Sequence, residues 1–220
     1  MKITKPNSLI FCTHDLSLIE QRMVNLLIYA FQTSEHELGD DSGIFRIVDY
    51  TQLYGMERST AFKGLRDAIS DLNHKSYKPI QGNPQSYFEY IEYKQGKVSF
   101  KFSDQIIHEL KSKNGISIEL MLTPELKSKY ALHLYEVFKA YEQLKQNYMS
   151  FSKNDFRNLI GLQVNEYLVW SNLKARVLDE SLKMINSSTD LMVDYKLHRT
   201  NRKISDISFT FVRKVSHFNI

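Results

Sequence analysis

The amino-acid sequence predicts an α+β fold made of two tandem modules, each a helix-turn-helix followed by a β-hairpin. Three observations support this fold class. A motif occurs twice at a fixed offset, a long amphipathic helix precedes each copy, and behind each copy the hydrophobic period changes from about 3.6 to about 2 residues. No Pro-rich or Gly-rich linker divides the chain. We place the domain boundary between residues 122 and 123, so that the predicted domains are residues 1–122 and 123–220.

The repeated motif reads FRIVDYTQLYGM in residues 45–56 and FSKNDFRNLIGL in residues 151–162. Each copy predicts an entry strand, a short helix and a glycine that ends the helix in a left-handed turn. Five pairs of similar residues share one offset of 106 positions: Phe45 with Phe151, Tyr50 with Phe156, Leu53 with Leu159, Gly55 with Gly161, and Met56 with Leu162.

Helices flank both motifs. The preceding helices run from Leu16 to about Phe31 and from Tyr130 to about Lys145. The following helices are ERSTAFKGLRDAISDL in the first half and NEYLVWSNLKARVLDESLKMIN, residues 165–186, in the second. The latter has an apolar stripe at helical spacing, which predicts one buried face. The stripe consists of Trp170, Leu173, Val177, Ser181 and Ile185.

A predicted β-hairpin closes each module. The first covers residues 87–102 with a turn at Gln95-Gly96, and the second covers residues 190–212 with Thr200-Asn201 near its tip. Between the modules, residues 103–129 predict a short helix, a strand in SIELML and a connector. This order of elements is that of a winged helix-turn-helix, and it occurs twice.

Charge is distributed unevenly along the chain. The net charge is +4, but residues 1–110 carry 12 Lys and Arg against 14 Asp and Glu, whereas residues 111–220 carry 17 against 11. The basic second half indicates contact with a polyanion. In a helix-turn-helix the second helix enters the major groove of DNA, where each base pair displays a distinct pattern of donors and acceptors.

The second module has the residues that such binding requires. Polar and basic residues occupy the outer face of its second helix, and basic residues are concentrated at its hairpin, where phosphates would neutralise them. The candidate DNA-binding residues of the helix are Ser171, Asn172, Lys174, Arg176 and Lys183. Those of the hairpin, or wing, are Lys196, His198, Arg199, Arg202 and Lys203.

The first module is less clearly basic. Its second helix offers candidate phosphate contacts at Arg58, Ser59, Thr60, Lys63 and Arg66. Its hairpin is acidic and aromatic, between Tyr87 and Tyr93. Exposed aromatic residues would suit a protein interface, but the same rings could equally cover the core, and the sequence leaves both interpretations open.

Several function classes lack support in the sequence. No glycine begins a P-loop, and the seven histidines are dispersed without the spacing of a metal site. We therefore expect no enzymatic activity, no catalytic residues, no metal and no cofactor. The single cysteine, Cys12, excludes an internal disulfide and is expected to be a buried apolar residue. Without a signal peptide or a transmembrane segment, the expected location is the cytoplasm.

The ordered set of motifs resembles the replication initiator proteins of iteron plasmids, the Rep_3 or RepB-type initiators. The opening Asn7-Ser8-Leu9 with LSLIEQRMVNLLI, the helix SKYALHLYEVFKAY, the stretch EYLVWSNLKARVLDESLKMINSSTDLMVDY and the closing ISFTF are similar to that family. The resemblance covers nearly the whole chain. This chain departs from relatives that are more arginine-rich at the start of the second helix, since Ala175 lies between Lys174 and Arg176.

The resemblance implies two winged-helix domains related by a pseudo-twofold axis. It implies double-stranded DNA with direct repeats at a plasmid origin as the partner, bound by monomers, and a homodimer that represses its own gene. The second domain would read bases, and the first would dimerise and touch flanking DNA. Host helicase and initiator proteins would be recruited. The alternative is a winged-helix transcriptional regulator with no role in replication.

Overall fold

A computed structural model of the chain describes residues 1–34, 41–56, 58–80, 82–112 and 114–214, with only the backbone described for residues 58–61. The chain divides into two compact units, Met1–Pro124 and Glu125–Ile220, called here unit 1 and unit 2. Each contains a helix-turn-helix followed by a β-hairpin. The predicted fold class of two tandem winged-helix domains is therefore confirmed.

The described residues of unit 1 contain five α-helices. The longest begins after Ser17, whose hydroxyl accepts from the Glu20 backbone N–H while the Glu20 carboxylate accepts from the Ser17 N–H. The apolar pattern predicts a start at Leu16, but this reciprocal capping box makes Ser17 the N-cap, so the helix begins at Leu18. The helices are α1 (Asn7–Ile10), α2 (Leu18–Thr33), α3 (Ile47–Tyr54), α4 (Arg58–Leu72) and α5 (Asp104–Ser112).

The strands that the structure describes in unit 1 form three small antiparallel sheets. They are β1 (Lys2–Lys5), β2 (Cys12–Thr13), β3 (Ser42–Arg46), β4 (Ser76–Pro79), β5 (Gln85–Ser86), β6 (Phe88–Lys94), β7 (Lys97–Phe102) and β8 (Ile116–Glu119). The predicted hairpin is β6–β7 in the sheet β3-β7-β6. Its turn is at Gln95 and Gly96, as predicted, with φ of 49° and 80°. β8 overlaps the strand predicted in SIELML, but its pairing with β1 was not predicted, and neither was the sheet β2-β4-β5, whose strands are too short for a clear alternation.

The aromatic residues of this hairpin lie mostly in the core. Tyr87 and Phe88 are 2% and 6% exposed, and Phe88 stacks on Phe102 with a centroid distance of 4.9 Å. Tyr90 and Tyr93 are half-buried. The sequence left open whether these rings form a protein interface or cover the core. Tyr87 and Phe88 cover the core. Cys12 is also buried, as predicted.

Residues 125–214, the described part of unit 2, contain four α-helices and one three-stranded antiparallel sheet with the order β10-β11-β9. The helices are α6 (Lys129–Gln143), α7 (Lys153–Leu159), α8 (Trp170–Leu173) and α9 (Glu180–Ser188), with a π-helical segment (Lys174–Asp179) between α8 and α9. The strands are β9 (Tyr148–Ser152), β10 (Leu191–Thr200) and β11 (Lys203–Arg213). The ring of Phe209 on β11 meets those of Phe138 and Phe156 at 5.4 Å and 5.7 Å in the centre of the core.

The repeated sequence motif has the same local structure in both units. Tyr50 and Phe156 are fully buried, and Gly55 and Gly161 have φ of 61° and 68°. The residue after each glycine donates its backbone N–H to the carbonyl five positions earlier, Met56 to Thr51 and Leu162 to Arg157, both at 3.0 Å. These bonds are those of a Schellman motif. The predicted left-handed helix ends are confirmed in both copies.

Candidate nucleic-acid interface

The helical segment Trp170–Ser188, called here the recognition helix, consists of α8, the π-helical segment and α9. Its predicted apolar face is buried: Leu173, Val177, Ser181 and Ile185 are at most 1% exposed, and Trp170 is half-buried. α9 packs against α6. The anchored face leaves the opposite face of the helix toward solvent.

Most of the predicted helix residues are on that solvent face. Ser171 and Asn172 are exposed in α8, Arg176 is exposed in the π-helical segment, and Lys183 is exposed in α9. Ser171 and Asn172 are the second and third residues of the helix, and in helix-turn-helix proteins the N-terminal residues contact base edges. The polar side chains at the start of this helix are therefore accessible, as contact with base edges would require.

The predicted helix starts too early in the sequence. Residues 165–169 are not helical, and Tyr167 has a φ of 46°. The Arg157 guanidinium donates to the carbonyls of Glu166 and Tyr167 at 2.7 Å and 2.9 Å, which removes them as acceptors for a helix. The loop before the helix, residues 162–169, has three exposed apolar side chains. Val164, Leu168 and Val169 are 85%, 72% and 59% exposed.

Among the candidate residues of the recognition helix, Lys174 forms an ion pair within the unit. Its ammonium group donates to the Asp179 carboxylate at 2.7 Å, and the Tyr195 hydroxyl on β10 donates to the other oxygen of Asp179, also at 2.7 Å. The ammonium group lies 5.8 Å from the centroid of the Tyr195 ring. We call these three residues the Asp179 cluster.

Both charges of the Asp179 cluster are stabilised. Burial raises the pKa of Asp179, but hydrogen bonds from Lys174 and Tyr195 lower it by more, so that the pKa lies below the ordinary carboxyl value. The hydrogen bond to Asp179, with a smaller contribution from Tyr195, raises the pKa of Lys174 above its ordinary value. Around neutral pH the pair is therefore an ion pair.

The wing is the β10–β11 hairpin. All five predicted wing residues are exposed, namely Lys196, His198, Arg199, Arg202 and Lys203. The turn is at Asn201 and Arg202, with φ of 51° and 65°, which agrees with the prediction that Thr200 and Asn201 lie near the tip. The pairing of the two strands shifts register between His198 and Arg199. His198 Nε2 lies 2.8 Å from the Ser208 hydroxyl.

Two contacts fix the C-terminal end of the recognition helix to the sheet. The Asn186 side chain accepts from the Val193 N–H at 2.7 Å and donates to the Val193 carbonyl at 2.8 Å. Lys214 donates to the carbonyls of Asn186 and Thr189, at 2.5 Å and 2.7 Å. A lysine at this end satisfies carbonyls that lack helical partners and interacts favourably with the helix dipole.

In unit 1 the corresponding helix is α4. Its predicted residues Lys63 and Arg66 are exposed, and so are the acidic Asp67 and Asp71. The side chains of the other three candidates, Arg58, Ser59 and Thr60, lie outside the described part of the structure. Two cations on this face can serve as phosphate contacts, but the neighbouring carboxylates make the helix less basic than that of unit 2.

Sequence reasoning missed the residues that support this surface. Four residues that were not predicted as DNA contacts hold the loop, the helix and the wing strand in place by hydrogen bonds. They are Asp179, Tyr195, Asn186 and Arg157. Of these residues, Asn186, Asp179 and Tyr195 lie in the stretch EYLVWSNLKARVLDESLKMINSSTDLMVDY, which resembles the family. Within the described residues, no group of three or more His, Cys, Asp or Glu could hold a metal ion. None of the described helices has the length and hydrophobicity that crossing a bilayer requires.

Comparisons with known proteins identify the family of the two domains and a similar fold. Residues 2–139 match the family model described as initiator replication protein, WH1, and residues 152–211 match that described as initiator Rep protein, WH2. The fold is similar to the crystal structure of the Pi initiator protein in complex with iteron DNA, with a TM-score of 0.78, 20% identity and 97% of each chain covered.

Two further solved structures are similar over different lengths. The crystal structure of domains 2-3 of RctB has a TM-score of 0.50 and 12% identity, and covers 97% of this chain and 83% of its own. The WH1 domain of MSBI1.176, a replication protein isolated from a multiple sclerosis patient, has a TM-score of 0.37 and 24% identity, and covers 50% of this chain and 92% of its own.

Proposed function

Because this chain belongs to the initiator replication protein family, with a WH1 and a WH2 domain, we propose that it starts plasmid replication by binding repeated origin DNA, or iterons, through unit 2. The observation that carries this proposal is the exposed polar face of the recognition helix beside an exposed basic wing. The Pi initiator, which shares this fold, was solved with iteron DNA.

In the proposed binding mode the recognition helix contacts bases and the wing contacts phosphates. The start of the recognition helix enters the major groove, where Asn172 and Arg176 contact base edges. The wing, with Arg199, Arg202 and Lys203 at its tip, contacts phosphates and contributes affinity that is independent of sequence. Exposed Lys63 and Arg66 in unit 1 add phosphate contacts.

The proposal extends to partners and location. A monomer binds each direct repeat, and a homodimer represses the gene of the protein itself. The bound monomers distort the adjacent duplex and recruit host helicase and initiator proteins in the cytoplasm. The protein needs no catalytic residue or cofactor for this role, because its contribution is mechanical. The resemblance of the motifs to iteron-plasmid initiators supports this scheme.

A transcriptional regulator without a role in replication would use the same groove-binding elements. The match to both initiator domains, rather than to one DNA-binding module with a sensor, favours the initiator. The arrangement of sites on DNA separates the two functions, since a repressor dimer needs only inverted half-sites.

The test is DNase footprinting of the purified protein on DNA that flanks its gene. We expect protection of several direct repeats of about two helical turns each, roughly 20 base pairs, since two modules bind along the duplex. Deletion of the repeats should then abolish replication of a plasmid that carries the gene. Protection of a single inverted repeat at the promoter, with replication intact after its deletion, would instead identify a regulator.

A further inference from the structure

The recognition helix contains a feature that its role in DNA binding does not by itself require. Lys174 and Asp179 are five residues apart and form an ion pair at 2.7 Å. In an α-helix of 3.6 residues per turn, residues five apart point about 140° away from each other. The π-helical segment Lys174–Asp179, with its hydrogen bonds from residue i to i+5, brings the two side chains to one face. The ion pair and the π-helical geometry therefore support each other.

The Asp179 cluster also connects this segment to the wing strand. Tyr195 on β10 donates its hydroxyl to Asp179, so that both carboxylate oxygens have a partner. The next residue along β10 is Lys196, one of the exposed basic residues of the wing. One carboxylate thus links the middle of the recognition helix to the strand that leads to the wing.

The two ends of the recognition helix are fixed differently. Beyond the π-helical segment, Asn186 and Lys214 fix the end of α9 to the sheet. Before it, α8 is only four residues long and presents Ser171 and Asn172. Each residue of an α-helix rotates by about 100°, and a π-helical segment rotates by less. Its presence therefore determines the direction in which α8 presents its side chains relative to the fixed α9.

Resting on the proposed function, we propose that Asp179 and Tyr195 are positioning residues for base recognition. They hold the π-helical segment in the recognition helix and thereby set the orientation of Ser171, Asn172 and Arg176 toward the base edges. Neither side chain contacts DNA itself. A bidentate contact depends on the direction of its donors, whereas attraction to phosphates depends mainly on charge. Loss of the cluster should therefore reduce sequence discrimination more than general affinity.

A competing role for Asp179 makes a different prediction. If the carboxylate only neutralised Lys174, its removal would free one cation for phosphate contact. Binding to every sequence would then become tighter by the same factor, and the salt dependence would steepen by about one charge.

The experiment uses the full chain and compares Asp179→Asn and Tyr195→Phe with the unchanged protein. Glu180→Gln is the matched control, because it removes the same charge from the adjacent, exposed position of the same helix. Affinity is measured at several salt concentrations for a duplex containing the protected repeat and for an unrelated duplex of equal length. Thermal unfolding of each variant is recorded in parallel.

We expect both cluster variants to lose about tenfold in the ratio of the two affinities, which corresponds to about 1.4 kcal/mol. Tyr195→Phe should leave the affinity for the unrelated duplex and its salt dependence unchanged, whereas Asp179→Asn also frees Lys174 and should steepen the salt dependence on both duplexes alike. Glu180→Gln should keep the ratio. Tyr195→Phe leaves all charges in place, so a reduced ratio in this variant supports positioning even if Asp179→Asn folds poorly.

Three results would overturn the proposal. The ratio stays unchanged in both variants, both affinities fall by one factor as partial unfolding predicts, or Asp179→Asn tightens binding to both duplexes by the same factor. A failure of the proposed function looks different, because the unchanged protein would then bind the repeat and the unrelated duplex equally.

Discussion

At the scale of single residues, two exposed arginines of unit 2 have different expected roles. Arg176 lies in the middle of the recognition helix, whereas Arg202 lies at the turn of the wing, with a φ of 65°. A guanidinium in the major groove can bind guanine with two parallel hydrogen bonds, which carries sequence information. A guanidinium at a hairpin tip contacts the phosphates of the DNA backbone, which provide charge but no sequence information.

Alanine substitution should separate these roles. Arg176→Ala should cost about 1–3 kcal/mol on the repeat and relax the preference at one base pair. Arg202→Ala should weaken binding to all sequences alike and reduce the salt slope by about one charge. Each variant is the control for the other in a titration of single-base variants of the repeat. Full discrimination in Arg176→Ala would show that another residue reads the bases.

At the scale of elements, the glycines that end α3 and α7 are required by backbone conformation. Gly55 has a φ of 61°, and a Cβ added there would meet nothing within 4 Å. The constraint is therefore conformational rather than steric, because a side chain destabilises the left-handed region. Gly64 in the middle of α4 differs, since its φ is not in that region and a Cβ would lie 3.7 Å from Ile19.

Substitution of these two glycines by alanine should change stability in opposite directions. Gly55→Ala should lower the free energy of unfolding by about 1–2 kcal/mol, since L-residues in the left-handed region cost that much. Gly64→Ala should raise it by about 0.5–1 kcal/mol, because alanine is the better helix former. Denaturant titration of both variants measures the difference. A stabilising Gly55→Ala would mean that α3 can end without a left-handed residue.

At the scale of the whole molecule, the charge asymmetry of the sequence corresponds to a difference between the units. Unit 2 exposes a basic wing beside its recognition helix, whereas the α4 face of unit 1 mixes Lys63 and Arg66 with exposed carboxylates. Such a mixed face suits backbone contacts better than base recognition, since phosphate binding needs only a few well-placed cations. We therefore expect unit 1 to contribute affinity and unit 2 to contribute specificity.

The double variant Lys63→Ala with Arg66→Ala tests this division in the full chain. Affinity for repeat and unrelated DNA should fall by the same factor, with a salt slope reduced by about two charges and an unchanged affinity ratio. Lys78→Ala is the control, because it removes an exposed cation of unit 1 outside α4. A loss confined to the repeat would show that α4 reads bases as well.

The printed sequence was enough to predict the fold class and the exposed faces of unit 2. The repeated motif with its offset of 106 residues, the stripe that contains Leu173 and Val177, and the basic wing are local patterns. Hydrophobic periodicity, left-handed glycines and clustered charge act over a few residues, so the printed sequence contains them. The same patterns predicted which side of the recognition helix would be buried.

The contacts that hold the recognition helix in place became visible only in the folded structure. Tyr195 on β10 binds Asp179 of the π-helical segment, and Asn186 of α9 binds Val193 on β10. Arg157 of α7 binds the loop before the helix, and the helix begins only after this loop. Each of these contacts joins residues of different elements. The folded structure also shows that Lys174 is paired rather than free. Such contacts depend on which strands and helices pack against each other in the folded protein. Periodicity along the chain gives no information about the distance between side chains of different elements.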